Sequence, residues 1–127
     1  MEPGCCDEKG GETLIFTCCG AAYSGQVSNQ AGVSLMQAGA GNLFCVTAVG
    51  AGIPDKLERA RTAGRRVIID GCDDHCGRKV MAGAGLKVDL HVDVTELGVA
   101  KKPVEPALIT DAKRVVEHVK ASLLQAE

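Results

Sequence analysis

The chain has 127 residues and a net charge of -2, with charges of both signs interspersed; one domain is expected, and a nucleic-acid-binding surface is excluded. Two Phe, one Tyr and no Trp leave Val, Leu, Ile and Ala to build the core. No apolar run reaches the length of a membrane span. The opening MEPGCCDEKGGE is acidic and Gly-rich rather than basic and then apolar, so a cytoplasmic chain without membrane contact is expected.

Met1 to Glu12 lack periodicity and are expected to form a mobile tail ahead of a single domain over 13–127. Cys5 and Cys6 lie in that tail, either as thiols without a role or as an accessory metal or redox pair. Thr13 to Thr17 form the first strand, which delivers Cys18-Cys19-Gly20 to its carboxyl end. A helix is expected to start near Ser24, with Val27, Ala31, Leu35 and Ala38 on one face, and to stop at Gly39 to Gly41. A strand–cysteine–helix junction of this kind aims backbone N–H groups and the positive end of the helix dipole at the sulfurs.

Asn42 to Ala48 are expected to form the second strand with Cys45 inside it, followed by a flexible turn at Gly50 to Gly52. Pro54 suits the first position of the next helix, whose Leu57, Ala60 and Ala63 form a narrow apolar stripe before Gly64. The run Val67-Ile68-Ile69 within RRVIIDG is that of a strand buried on both faces. Cys72 and Cys76 then lie four apart at the start of a helix expected to be capped by Asp73 or Asp74, so both sulfurs can point at one spot. Asp70 suits either a metal's outer-shell acceptor or a cap for the turn. In KVDLHVDVT, Val88, Leu90, Val92 and Val94 alternate inward against Asp89, His91 and Asp93 outward, as in an edge strand with one wet face. Glu96 to Ala107 form a loop with two prolines, in which Lys101-Lys102 is expected to be a solvated pair. Asp111 to Gln125 form a closing helix with Val115, Val116, Val119 and Leu123 on its buried face.

The order β-α-β-α-β-α-β-loop-α predicts a three-layer, Rossmann-like α/β domain: a four-stranded parallel sheet with helices on both faces. Ligands of such sheets bind beyond the carboxyl ends of the strands, where strand order reverses. Cys18, Cys19 and Cys72 follow strands at that edge, and a small shift of register would bring Cys45 to the same rim.

Seven cysteines in a cytoplasmic chain suggest metal binding or redox chemistry more than a disulfide framework. Cys18 or Cys19 with Cys45, Cys72 and Cys76 supply four sulfurs from three loops, which is what zinc takes in a closed tetrahedral site. An iron–sulfur cluster would use the same ligands, although the C-x3-C-x2-C arrangement is excluded by Lys79. Catalytic thiols and small buried hydrophobes are the other readings of these cysteines. Oxyanion-handling cysteine enzymes place an arginine six residues after the nucleophile, where this chain has Ser24 or Gly25. His75 is expected as an exposed helix residue or as a fourth ligand. His91 and His118 are expected at the surface, and Tyr23 either lines the cysteine loop or packs on the surface.

Asp70-Gly71-Cys72 followed by Cys76 resembles the motif of the DGC domain family, small proteins described as zinc-binding. Cys18 with Gly20, Gln26 with Asn29, Cys45 before Gly50, Gly52 and Pro54, and Leu97-Gly98-Val99 with Lys101-Lys102 resemble its other segments. The resemblance implies a cysteine-bound zinc ion held by Cys18, Cys45, Cys72 and Cys76 in a small α/β domain. The family pattern has a second cysteine at C-x-x-C spacing after the first; here that position is Ala21, and Cys19 adjoins Cys18.

Overall fold

The computed structural model describes residues 11–126. Four strands, β1 (Thr13–Thr17), β2 (Asn42–Phe44), β3 (Arg65–Asp70) and β4 (Leu90–Asp93), form one parallel sheet in the order β2-β1-β3-β4. The helices are α1 (Tyr23–Gln37), α2 (Val46–Gly50), α3 (Pro54–Thr62), α4 (Cys76–Gly83) and α5 (Leu108–Ala126), with a 3-10 turn over Val94–Leu97.

Alternation along the strands divides the core into two layers. Ile15, Val67, Ile69 and Val92 face α1 and α5, where Val27, Ala31, Leu35, Val115 and Val119 cover them. Leu14, Phe16 and Ile68 face the other way, onto Val49, Ala60, Ala63 and Met81. The central strands are buried on both faces, which is why VII reads as an unbroken apolar run. Helix α1 stops through Gly39, whose φ of +81° lets the Gly39 and Ala40 amides reach back to Met36 and Leu35. Ala38 is exposed beyond that stop rather than part of the buried face.

At the amino edge of the sheet, the buried Arg66 guanidinium donates to the carbonyls of Ala60, Ala63 and Lys87 and pairs with Asp89. That fan ties the end of α3 to the approach of β4. Glu12 accepts a two-pronged bond from Arg59 at 2.8 and 2.9 Å, so it belongs to the folded domain rather than to a tail. Cys5 and Cys6 lie outside the described residues.

Several expectations change. β2 ends at Phe44, and Cys45 is not inside the strand but caps α2, its Sγ accepting the Ala48 amide at 3.4 Å. The segment through Gly50 coils because Ala48 and Val49 bury against the α3–α4 layer, overriding its β-branched composition. β4 is shorter than expected, and its polar side is not wet: Asp93 is 5% exposed and His91 half-buried, because that side carries paired charges under α4. α5 begins three residues early, at Leu108. Among the described residues, no helix is long and apolar enough to cross a membrane.

Candidate functional site

The strand order reverses between β1 and β3, and there the chain packs backbone on backbone. A Cβ on Gly71 would stand 2.6 Å from the Gly25 Cα, and one on Gly25 would stand 2.8 Å from the Gly20 carbonyl oxygen. Three glycines thus let the loop after β1, the start of α1 and the loop after β3 close on one another. Cys18 sits on this junction. Its Sγ accepts the Gly20 amide at 3.3 Å and faces the Gly71 amide. Burial pushes the Cys18 thiol above its ordinary value; the two amides oppose that, while Asp70 and Cys76 nearby add to it.

Asp70, 1% exposed, explains the first letter of the Asp-Gly-Cys run. Its carboxylate accepts the Gly77 amide at 2.8 Å, the Arg78 amide at 3.2 Å and His91 Nε2 at 2.8 Å. It is therefore the cap of α4, a role expected of Asp73 or Asp74, both of which are exposed. Gly77 is required beside it, since a Cβ there would stand 2.8 Å from Asp70 Oδ1. Cys76 opens α4 and Cys72 lies in the preceding turn, not in the helix.

His75 occupies the residue before α4 in a left-handed conformation, φ 53°, half-buried instead of exposed on the helix. Its Nε2 lies 3.0 Å from Asp93 Oδ2, and its ring meets the His91 ring edge-on with centroids 4.6 Å apart. A carboxylate only accepts, so Nε2 carries the hydrogen in each pair. Burial pushes the Asp93 carboxyl up, but bonds from Thr95 and His75 outweigh it and hold the group below its ordinary value. His91 and Asp93 are functional-edge residues that sequence reasoning had assigned to the surface; their two-residue spacing on one strand face was the available signal.

The late loop reaches the same place. Lys101 lies against Cys72, which with Asp74 holds its ammonium charged above the ordinary lysine value. The loop is anchored through Lys102: its carbonyl accepts the Tyr23 amide at 2.6 Å, and its ammonium stands 4.8 Å over the Tyr23 ring and pairs with Glu105. Tyr23 itself is fully buried at the start of α1 and donates to Asp111 Oδ2 at 2.5 Å.

Cys19 and Cys45 turn away from this junction. Both are exposed and line a cleft of about 300 Å³ over the β1–β2 side, with Thr17, Asn29, Phe44 and Thr47. Cys19 Sγ donates to Asn29 Oδ1 at 3.4 Å. Of the adjacent pair, Cys18 faces Cys76 and Cys19 faces the cleft. All five described cysteines are free, and none is buried in the core. Among the described residues, no three His, Cys, Asp or Glu side chains are gathered to hold a metal ion. The donor chemistry suits zinc; the placement leaves the sulfurs spread along the rim.

A parallel α/β domain with a rim of free thiols at the carboxyl ends of its strands is the class that fold and site define. The DGC domain profile matches residues 14–119, and the chain belongs to the DGC domain family. It is also similar to the anaerobic and virulence modulator AnvM of Pseudomonas aeruginosa, 28% identical over 102 residues that span 80% of this chain and 78% of the relative. No solved structure matches the chain.

Proposed function

We propose that the rim binds one thiophilic metal ion, zinc before iron, and that the protein acts as a binding, storage or sensing module rather than an enzyme. The observation that carries this is the distribution of thiols: every described cysteine lies free on the carboxyl edge, and none fills the core as a small hydrophobe. Cys18, Cys72 and Cys76 flank the strand-order reversal and would supply three sulfurs, with Cys45 completing a tetrahedral set; Cys19, held toward Asn29, is the spare. Zinc bound there would cross-link the loops after β1, β2 and β3, and four thiolates around it would draw on the Gly20 and Gly71 amides and the Lys101 ammonium for compensation. A relative named as a modulator supports a regulatory role. A thiol enzyme built on Cys18 is the weaker reading, because burial and its acidic neighbours raise that thiol.

Elemental analysis of chain purified without chelator or added metal tests this. One equivalent of zinc, lost in Cys72→Ser, is expected. No metal in the parent, with all seven thiols titratable, sinks the reading.

A further inference from the structure

The cleft over β1 and β2 holds two exposed sulfurs on neighbouring strands. The register places Phe16 beside Phe44, so Cys45 leaves β2 one residue past that pair and Cys19 leaves β1 three residues past it. Parallel neighbours run about 4.8 Å apart, so the two thiols emerge side by side into one space of about 300 Å³. Their hydrogen bonds differ in sense. Cys45 Sγ accepts the Ala48 amide, whereas Cys19 Sγ donates to Asn29 Oδ1. The first arrangement suits a sulfur carrying negative charge and the second a sulfur keeping its proton.

We propose that Cys19 and Cys45 are a redox pair, oxidised to a disulfide by hydrogen peroxide, and that this oxidation withdraws Cys45 from the metal set. The Cys45 thiolate attacks one peroxide oxygen; the S–O bond forms, the O–O bond breaks and hydroxide leaves, so the sulfur becomes a sulfenic acid. The Cys19 sulfur then attacks that sulfur; the S–S bond forms, the S–O bond breaks, and the oxygen departs as water with the Cys19 proton. In sum, two thiols and one peroxide give one disulfide and two waters. Cys18, Cys72 and Cys76 take no part, since they lie on the far side of β1 around Asp70. The pairing stands on the cleft alone, while its consequence for the metal rests on the function proposed above.

The test treats the full chain with hydrogen peroxide, both as purified and after chelation, then alkylates it and maps disulfides by mass spectrometry while a chromogenic chelator reads released zinc. A Cys19–Cys45 linkage is expected in both samples, with titratable thiols falling from seven to five and zinc released in step. Cys76→Ser should keep the linkage. Cys19→Ser should lose it and leave Cys45 trappable by a sulfenic-acid reagent. A disulfide through Cys18, Cys72, Cys76, Cys5 or Cys6 in its place, or none, overturns the pairing. Zinc retained after the linkage forms overturns the withdrawal of Cys45. Chain purified without zinc that still forms the linkage rejects the metal reading and leaves the pair standing.

Discussion

The two sides of the carboxyl edge are built in opposite ways. Between β1 and β3 the loops meet glycine on glycine, a buried carboxylate fastens α4, and the late loop is tied down through Tyr23. Between β1 and β2 the strand is three residues long and only half-buried, and an open cleft lies above it. Both sides present thiols, but one holds Cys18 in a fixed setting and the other leaves Cys19 and Cys45 accessible. A fixed floor with a yielding wall suits a site whose ligand set changes.

Breaking the floor should have the largest effect. Asp70→Ala leaves the Gly77 and Arg78 amides and His91 without their acceptor and is expected to cost about 3 kcal/mol in urea unfolding. Asp70→Asn keeps one acceptor oxygen and should lose less; equal losses would show that capping is not the role of the carboxylate. Gly71→Ala drives a methyl into the Gly25 backbone and should cost about 2 kcal/mol. An unchanged midpoint would mean that the junction is looser than its distances.

The tie to α5 should show itself in alkali. Burial, with the Asp111 bond second, raises the Tyr23 phenol to about 12 from its ordinary value near 10. The folded state thus holds that proton more tightly than the unfolded state. The resulting stability is complete below pH about 10 and is lost as pH rises toward 12. Tyr23→Phe should flatten that alkaline limb of a stability–pH curve. The smallest effect belongs to the wall: Cys19→Ser, at an exposed position, should shift stability by less than about 0.5 kcal/mol.

Strand and helix order was legible because the apolar runs carry it. Val67-Ile68-Ile69 has a double-sided burial pattern, and the Asp70-Gly71 break after it placed Cys72 at the functional edge. What escaped depends on contacts between distant residues. The cap of α4 comes from Asp70, seven residues before Gly77, and no local spacing rule reaches that far. His91 was correctly placed on the polar face of its strand, but only the packing of α4 over that face makes it a buried partner of Asp70. Cys45 was misplaced because Val46-Thr47-Ala48-Val49 has strand-like composition and coils only for its tertiary contacts. The division between Cys18 and Cys19 has no signature in a Cys-Cys dipeptide, since it rests on which way each side chain turns.

An all-parallel sheet also dictates how this rim comes into being during synthesis. No two strands are joined by a hairpin, so each pairing waits for an intervening helix, and the face covered by α5 stays bare until the last helix has emerged. The thiols therefore reach their common edge through long-range closure rather than through a local knuckle that metal might nucleate. Nascent chains, with paired cysteines already exposed and their partners not yet translated, face their greatest risk of mispairing before the fold is complete.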